Sequence, residues 1–469
     1  MCILALHSCQ DAPAPGVQDA SPDDAAPIED AYSDQVSYRD INKAIAAITS
    51  SGDFGMERSR ASMYSVDSLI SKDGVLTALV VNFANDGGFI LLSPQKTFYP
   101  VMAYSNKGHF DVNVEGKPVE EWTEDMSDVI SQLDYLPSDS IEIYRRMWND
   151  LLFESSINKK PIIRKSPPID EVEIPEEEMQ KLYRAVRAKR SELESQGYKA
   201  YLISEYLSKD DITAYENIRQ LVQGAIYPLY ESVWEELTLV VDIDNMTNRT
   251  KENMLSTVWG QRGMFNVSFP TLSDGRKAYV GCGPVAIGQV MYYHKYPANI
   301  PWSSMMTSYG NEVTSNFLYE LAIKSKADFQ LEGTNTYMPD LQATLESYGY
   351  ICARDVYSVS KTISEIFDNR PVVLSGSEKD VKKSGHGWVA SGASISDWEY
   401  YTIYYTMTSQ YEMSSFYQTD KKYLRQNSIY MNWGWDGRYD GFYVENSNFK
   451  KPGDTNITVN RKMLYIRKP

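Results

Sequence analysis

Cysteine and histidine are the residues of this sequence whose chemistry is easiest to follow, because each occurs only four times in 469 residues. Cys282 lies in a Gly-Cys-Gly-Pro segment, directly before the apolar residues 285–291. Pro284 suits the first turn of a helix, since the N–H that a proline lacks has no partner there. Cys282 is therefore predicted at a helix N-terminus, where free N–H groups and the helix dipole stabilise a thiolate. The alternative is a small buried apolar side chain, which is the commoner role of a free cysteine.

His386 is the predicted partner of Cys282. It lies between two glycines, after the buried-strand pattern of residues 372–376 and at the start of a second apolar strand. An imidazole in that position can act as a base and later as an acid towards a thiol. His294 follows Cys282 by twelve residues on the same predicted helix, which is about 18 Å and too far for a hydrogen bond. His109 lies in the N-terminal part of the chain, so elimination leaves His386.

Three more side chains are candidates for assisting this pair. Asn432 and Trp433 end an alternating strand at a Trp/Gly turn. We expect Asn432 to orient an imidazole and Trp433 to shield that contact from water, although a structural aromatic corner fits the same segment. Gln261 is expected to donate its side-chain N–H to an oxyanion, beside the backbone N–H of Cys282.

The N-terminal part of the chain has the pattern of a small α+β domain, predicted over residues 34–125. Residues 34–53 have the apolar spacing of an amphipathic helix. Two β-rich runs, 75–83 and 89–92, flank an Asn-Asp-Gly-Gly turn, which predicts a hairpin because these residues adopt positive φ at little cost. Residues 101–104 predict a third strand.

The middle of the chain, residues 126–245, is predicted to be a helical connector. Residues 155–178 combine proline with charges of alternating sign, as linkers do. Residues 176–235 have the charged amphipathic pattern of helices. From residue 246 onward glycine, tryptophan and tyrosine become more frequent and the candidate chemical residues appear. We therefore expect the last domain at residues 246–469.

The composition excludes several classes of protein. The net charge is −17, and residues 11–40 contribute −7 of it, in a stretch rich in alanine and proline that predicts a disordered tether. A nucleic-acid-binding protein is expected to carry the opposite charge. The scarcity of cysteine and histidine excludes disulfide-dense and zinc-ribbon scaffolds. No run of 18 or more apolar residues occurs, and no metal or cofactor is expected.

Residues 1–33 are predicted to be a leader followed by the acidic tether. Leu6-His7-Ser8-Cys9 resembles a bacterial lipoprotein signal, in which a cysteine after a small residue is lipidated. We expect Cys9 to be the lipidation site and the protein to be exported, as a cell-surface or periplasmic lipoprotein or as a secreted protein. The tether would then separate a lipid anchor in the membrane from the folded domains.

Taken together, four segments resemble the streptopain family of papain-like cysteine peptidases: 259–266, 281–297, 385–386 and 432–442. Their order along the chain, with Gln before Cys, His and Asn-Trp, is that of the family. The hairpin region 75–108 is similar to the family's propeptide domain. The resemblance implies an α+β fold, with a papain-like peptidase domain over 246–469 preceded by a small α+β propeptide-like domain and the helical connector.

The resemblance also implies a role for each matching residue. Cys282 corresponds to the nucleophile and His386 to the general base and acid. Gln261 corresponds to the residue that lines the oxyanion hole.

Around this pair, the resemblance implies supporting roles. Trp433, with Asn432, would position or cover the imidazole. Gly385 and Trp435 are expected to line the substrate cleft.

The sequence departs from the family in two places. Gly-Pro-Val follows Cys282 where the family more often has Val-Ala-Thr, so the subsites formed by that turn stay open. His386 and Asn432 are separated by 46 positions, more than in streptopain. This tyrosine-rich insert is predicted to be a long hairpin, either a flap over the cleft or a surface hairpin.

The implied function is a secreted or surface-anchored cysteine endopeptidase, made as a zymogen, which cleaves proteins or peptides through a Cys-His thioester mechanism. Its N-terminal domain would be an intramolecular inhibitor, with candidate cut sites at 159–160, 164–165 and Asn245–Asn253. Cys352 is predicted to be buried and inert in a strand. Two other classes stay open: a catalytically inactive binding protein with a peptidase fold, and a cell-wall peptide amidase.

Overall fold

The computed structural model describes residues 34–51, 54, 56, 63–114, 119–136, 138–153, 175–206, 233–376, 385–407, 411–445 and 461–469. The predicted leader and tether, with Cys9, lie outside these residues, as do the basic pairs at 159–160 and 164–165. Within the described ranges, none of the helices is long and apolar enough to cross a membrane.

Helices and strands alternate along the described residues. The helices are α1 (Tyr38–Ser51), α2 (Glu120–Ile130), α3 (Ser138–Phe153), α4 (Glu176–Ser195), α5 (Ile203–Tyr206), α6 (Trp234–Leu237), α7 (Cys282–His294), α8 (Glu312–Lys324), α9 (Met338–Ser347) and α10 (Val359–Phe367). The strands are β1 (Tyr64–Ile70), β2 (Leu76–Phe83), β3 (Phe89–Leu92), β4 (Val101–Ser105), β5 (Lys199–Leu202), β6 (Leu239–Lys251), β7 (Asp328–Phe329), β8 (Thr334–Asn335), β9 (Ile351–Val356), β10 (Val372–Gly376), β11 (His386–Met407), β12 (Met413–Gln418), β13 (Lys422–Asn432), β14 (Gly441–Val444) and β15 (Lys462–Arg467). The predicted mixture of helix and sheet is confirmed.

The N-terminal unit is an antiparallel meander of β1 to β4 with helices packed on it. The predicted hairpin is confirmed, since β2 and β3 pair in antiparallel register. Asn85 and Asp86 adopt φ values of 59° and 53° in its turn, a conformation that their short polar side chains tolerate. Gly88 follows at φ 108°, where a Cβ would lie 2.2 Å from the Ser105 carbonyl oxygen, so only glycine fits.

Helices α1 and α3 cover one face of this meander. Trp148 of α3 is fully buried beside Ile45 and Ile48 of α1, and its indole N–H donates to the Phe98 carbonyl at 3.0 Å. The predicted boundary at residue 125 falls inside α2. Helices α2 and α3, which follow the meander in the chain, pack against its strands.

One continuous sheet joins the N-terminal unit to the C-terminal domain. Strand β4 pairs with β14, with Tyr104 opposite Phe442 and Ala103 opposite Tyr443. Thirteen strands of the described residues belong to this sheet, and one hydrophobic cluster draws side chains from both units. Separating the two units would therefore expose a strand edge and buried apolar surface.

The connector contributes β5 and the first half of β6 to the C-terminal sheet, as well as helix α4. Helix α4 is followed by β5, and β6 pairs with residues 393–405 of β11 along its whole length. Val241 and Ile243 of β6 are buried against Leu182 and Val186 of α4. Of the helices predicted over 176–235, the described residues confirm α4 and the short α5 and α6. The predicted boundary at 246 falls inside β6.

The tyrosine-rich insert lies at the end of β11 that is remote from His386. It forms the outer parts of β11 and β13 with β12 beside them, and Met407 joins the cluster of α4 and β6. Tyr400 is fourteen residues after His386, which is about 45 Å along an extended strand. For the described residues this arrangement favours the surface-hairpin alternative, because the insert is paired with β6 and packed on α4 of the connector.

The C-terminal domain has a helical half, α7 to α9, and a sheet half, β9 to β11 with β13 to β15. Helix α7 is buried on nearly every side. A Cβ on its Gly288 would lie 3.0 Å from Leu318 of α8, so this glycine lets the two helices approach closely. Cys282 begins α7 and His386 begins β11, and these two elements pack together where the halves meet.

Candidate active site

Two glycines explain how the chain enters α7 at Cys282. Gly281 caps the helix at φ 90°, a left-handed conformation, with Thr334 atoms 3.1 Å from where its Cβ would be. At Gly283 a Cβ would lie 2.2 Å from the Thr336 hydroxyl oxygen. Because neither position can hold a side chain, the Gly-Cys-Gly pattern fixes Cys282 as the first residue of the helix.

Cys282 is surrounded by groups that favour its thiolate. Its Sγ accepts a hydrogen bond from the Gly387 N–H at 3.3 Å. Burial opposes ionisation, but the charge of His386, a hydrogen bond from its imidazole and the N–H groups of Gly387 and Gly283 lower the pKa of Cys282 overall. Its partly exposed side chain is thus prepared for nucleophilic attack.

His386 is held on the side away from the thiol. Its Nε2 lies 3.0 Å from the Trp433 carbonyl oxygen, and since a carbonyl only accepts, Nε2 carries a proton and Nδ1 is left for Cys282. Burial lowers the pKa of His386, but the charge and hydrogen bond of Cys282, the Trp433 carbonyl and the charge of Glu121 raise it overall. A thiolate beside an imidazolium is the state that these contacts favour.

Two tryptophans form an apolar wall around the imidazole. The rings of His386 and Trp388 stack at an interplanar angle of 9°, with centroids 6.1 Å apart. Trp433 lies 6.4 Å from the imidazole and 5.1 Å from Trp388. Sequence reasoning predicted Trp433 and missed Trp388. The available signal was the spacing of two along a strand, which puts Trp388 on the same face as His386.

Asn432 has a different set of contacts from the one predicted. Its Oδ1 accepts from the Gln289 side chain at 2.9 Å and from the Gly434 N–H at 3.2 Å, while its Nδ2 donates to the Thr257 carbonyl at 3.0 Å. The Gly434 N–H belongs to the same peptide unit as the Trp433 carbonyl. Asn432 therefore holds the peptide that holds His386, and it makes no hydrogen bond of its own to the imidazole.

Asp440 fixes the other side of Trp433. Its Oδ1 accepts the Trp433 N–H at 2.8 Å, and its Oδ2 has no partner among the described residues. Burial raises the pKa of Asp440 to about 7, against the lowering effects of the Trp433 N–H and the charge of Lys107. Sequence reasoning missed Asp440, for which the signal was an acid in the Asp-Gly-Phe turn that follows the Trp/Gly segment.

The remaining predicted residues lie around this centre. The Gln261 carbonyl accepts the Val280 N–H at 3.1 Å, which puts Gln261 beside the start of α7. Gly385 is exposed immediately before His386. Trp435 lies with its ring 5.9 Å from the Arg262 guanidinium carbon, at the rim formed by the segment of Gln261.

The N-terminal unit reaches the pair of Cys282 and His386 through α2. A Cβ on Gly376 would lie 1.8 Å from both carboxylate oxygens of Glu121, and Gly376 is directly opposite His386 in the β10–β11 ladder. The neighbouring Trp122 donates its indole N–H to the Val444 carbonyl at 3.3 Å. Sequence reasoning missed Glu121, since nothing local distinguishes it from other acids in a first helical turn.

The other cysteine and histidines of the described residues lie outside this site. Cys352 is half-buried in β9, and burial raises its pKa to about 12, as expected for an inert thiol, although it is less buried than predicted. Burial and Lys468 lower the pKa of His294 to about 4. His109 is exposed and pairs with Asp86 at 2.9 Å. The described residues contain no group of three or more potential metal ligands.

Two protein families match this chain. Residues 259–309 and 299–443 match the Peptidase C10 family, and residues 32–130 match the Spi protease inhibitor. The two ranges of the first family together contain every predicted residue of the candidate active site, and the range of the second family contains α2 with Glu121.

Individual relatives are more distant. Thiol protease/hemagglutinin PrtT of Porphyromonas gingivalis is 21% identical over 241 residues, which cover 42% of this chain and 23% of PrtT. The chain thus spans about a quarter of the length of that relative. A prointerpain A fragment of Prevotella intermedia matches at a TM-score of 0.44 and 14% identity, over 86% of this chain and 98% of the fragment. Active interpain A of the same organism matches at a TM-score of 0.33 and 19% identity, over 46% of this chain and 94% of the interpain A chain.

Proposed function

Residues 259–443 belong to the Peptidase C10, or streptopain, family and residues 32–130 to the Spi protease inhibitor family, and from this premise we propose that the chain is a cysteine endopeptidase made as a latent zymogen. The predicted family and the peptidase fold class with a propeptide domain are thereby confirmed. The observation that carries the proposal is the hydrogen-bonded pair of Cys282 and His386 at the start of α7 and β11.

The proposed reaction is acyl transfer from a peptide bond. The Cys282 thiolate attacks the carbonyl carbon, and the Cys282 N–H with the Gln261 side chain donates to the oxyanion. His386 passes its proton to the leaving amine, whose C–N bond breaks and leaves a thioester on Cys282. Water, deprotonated by His386, then hydrolyses the thioester and regenerates the thiolate. The position of Trp433, whose carbonyl accepts from Nε2, supports the required tautomer.

The latent state is proposed from the way the N-terminal unit covers this centre. Glu121 lies against Gly376, next to His386, and Trp122 is bonded to the strand that follows the Trp/Gly turn. Both residues belong to the region that matches a protease inhibitor. Removal of this unit after cleavage would open the cleft to protein or peptide substrates.

Export is the part of the proposal that rests on the sequence outside the described residues. The Leu6–Cys9 segment and the acidic stretch of residues 11–40 support an anchored or secreted enzyme. Radiolabelled palmitate incorporation by the full chain and by Cys9→Ala would test the lipid: the proposal expects label in the first and none in the second.

The activity is tested with the full chain, Cys282→Ala and Cys352→Ala, each assayed on casein and on purified cell wall after limited proteolysis. Cys352→Ala is the matched control, because it removes the other described free cysteine, whose raised pKa makes it unreactive. The proposal expects casein cleavage by the full chain and by Cys352→Ala, and none by Cys282→Ala.

Two results would replace the proposal. Release of wall peptides without cleavage of casein would indicate a cell-wall amidase. Absence of both activities, with no labelling of Cys282 by a thiol-directed peptide inhibitor, would indicate a binding protein that has the peptidase fold but no catalytic activity.

A further inference from the structure

A buried arginine connects the N-terminal unit to the catalytic domain. Arg461 lies immediately before β15, and only 5% of its side chain is exposed. It pairs with Glu445 of its own domain at 3.1 Å. It also pairs with two acids of α2, Glu121 at 3.2 Å and Asp125 at 2.6 Å.

Each of the three acids contacts a different nitrogen of the Arg461 guanidinium. Glu445 accepts from Nη1 alone, through both of its oxygens. Glu121 accepts from Nε and Asp125 lies against Nη2. When the N-terminal unit leaves, Arg461 keeps Glu445 but loses the carboxylates at Nε and Nη2. A guanidinium that is still held by Glu445 and has two donor positions vacated can bind a carboxylate, because charge and paired geometry both fit.

The vacated position lies beside the reacting atoms. The Glu121 carboxylate lies against Gly376, the residue opposite His386. Its charge raises the pKa of the imidazole. His386 is the group that protonates the leaving amine in the proposed reaction. The Glu121 position therefore lies on the side of the cleft that holds the residues following the scissile bond.

We propose that Arg461 forms a specificity subsite on the leaving-group side, which selects substrates with an aspartate or glutamate just after the scissile bond, and that Glu121 fills this subsite in the zymogen. The inference rests on the proposed peptidase function and adds a substrate class to it. Glu121 and Asp125 act as internal substitutes for the acidic substrate, so the inhibitory helix and the preferred substrate compete for one guanidinium.

The experiment compares two pairs of peptides, and the two members of each pair differ only in the charge of one residue. The full chain is first activated by limited proteolysis, and the processed enzyme is given matched peptides with Glu or Gln at the first or the second position after the scissile bond. The subsite predicts that kcat/KM for one of the Glu peptides is at least about tenfold above that of its Gln partner, a ratio worth about 1.4 kcal/mol. The ratio should fall as salt is raised, since an ion pair that forms from solvent is screened.

Arg461→Gln provides the direct test, with Arg467→Gln, at the far end of the strand that follows Arg461, as the matched control. Arg467 is more than half exposed and pairs with Glu365, away from α2. Arg461→Gln should reduce the Glu/Gln ratio to about one while the Gln peptide is still cleaved, and Arg467→Gln should leave the ratio unchanged.

The outcomes separate the two proposals. Equal cleavage of the Glu and Gln peptides by the wild-type enzyme overturns the subsite and leaves the peptidase function intact. A ratio that survives in Arg461→Gln overturns the assignment to Arg461. Absence of cleavage of all peptides overturns the peptidase function, and the subsite with it. If Arg461→Gln does not fold, the wild-type ratio and its salt dependence still decide.

Discussion

At the scale of single residues, the direction of the His386 imidazole is set by side chains that never touch it. Asn432 accepts a hydrogen bond from the Gly434 N–H, and Asp440 accepts one from the Trp433 N–H. These two bonds orient the Trp433 carbonyl, which lies 3.0 Å from Nε2 of His386. A catalytic group displaced by about 1 Å can lose about 100-fold in rate. Residues in such positions are therefore expected to affect turnover more than substrate binding.

Asp440 allows this expectation to be tested with a matched pair of variants. We predict that Asp440→Ala lowers kcat of the activated enzyme by about 10- to 100-fold with little change in KM. Asp440→Asn should retain most of the activity, because its amide oxygen still accepts the Trp433 N–H. Steady-state kinetics on a peptide and the pH profile of Cys282 alkylation measure the effect.

The alkylation profile distinguishes positioning from stability. With His386 misplaced, Cys282 should lose part of the lowering of its pKa, so alkylation of Asp440→Ala should need a higher pH than alkylation of the wild type. A lower melting temperature with unchanged kcat and profile would instead reduce Asp440 to a packing residue. Equal impairment of Asp440→Asn and Asp440→Ala would also contradict the positioning role.

At the scale of elements, the two contacts that matter most join parts of the chain that the sequence pattern separates. Strand β6 begins in the predicted connector, which ends at residue 245, but the whole strand pairs with β11 over residues 239–251. Helix α2 comes from the N-terminal unit, but its Glu121 contacts Gly376 of β10. The first contact ties the connector to the peptidase domain, and the second places an acid of the N-terminal unit beside His386.

The β6 pairing predicts where maturation does not occur. A cut within Asn245–Asn253 would remove most of β6 from β11, whereas a protease needs an extended segment that is free of a sheet. We predict that the mature enzyme still contains residues 239–251, which intact-mass spectrometry of the processed protein would show. A mature N-terminus inside Asn245–Asn253 would contradict this prediction.

The contact of α2 with β10 predicts a glycine that is needed for latency. Gly376→Ala would drive a Cβ into the Glu121 carboxylate, which lies 1.8 Å from that position. We predict that Cys282 of full-length Gly376→Ala reacts with a thiol-directed peptide inhibitor at least about tenfold faster than Cys282 of the wild type. This ratio corresponds to a weakening of the docking of the N-terminal unit by about 1.4 kcal/mol.

Gly333→Ala is the matched control for this variant. A Cβ on Gly333 meets nothing within 4 Å, so its full chain should react at the wild-type rate. The processed enzymes should also be compared, because a change in the intrinsic reactivity of Cys282 would appear there too. Equal rates for full-length Gly376→Ala and wild type would show that Glu121 does not restrain the cleft.

At the scale of the whole molecule, we expect latency to depend on pH through Glu121, because the effect of burial on its pKa outweighs the opposing effect of Arg461. Burial raises the pKa of Glu121 to about 7, with Arg461 and His386 lowering it and Asp125 raising it further. A carboxyl whose pKa is higher in the docked state than in free solution favours docking when it is protonated. This contribution to docking is complete below the ordinary glutamate pKa of about 4.3 and is lost as the pH rises through about 7.

We therefore predict that the full chain is more latent at pH 5 than at pH 8. The measurement is the rate of Cys282 labelling in the processed enzyme divided by that in the full chain, which cancels the pH dependence of the thiol itself. The ratio should fall between pH 5 and pH 8 in the wild type and should change much less in Glu121→Gln. An increase with pH in the wild type would contradict the prediction.

The sequence by itself determined the parts of the protein that depend on local chemistry. The Gly-Cys-Gly-Pro segment predicts the start of α7, because glycine and proline constrain the backbone wherever they occur. The Asn-Asp-Gly-Gly turn predicts the β2–β3 hairpin for the same reason. Cys282 and His386 were selected from so few candidates that elimination was sufficient.

Only the tertiary structure decided the contacts between distant segments. Glu121 and Arg461 are 340 residues apart. No periodicity or turn pattern in either segment predicts that they are in contact. Asn432 was predicted to lie near His386, but its hydrogen-bond partner was predicted wrongly. An imidazole and the Gly434 N–H are equally suitable hydrogen-bond partners for a side-chain amide until the packing is known. The fold chooses between such partners because a buried polar group is stable only where its hydrogen bonds are complete.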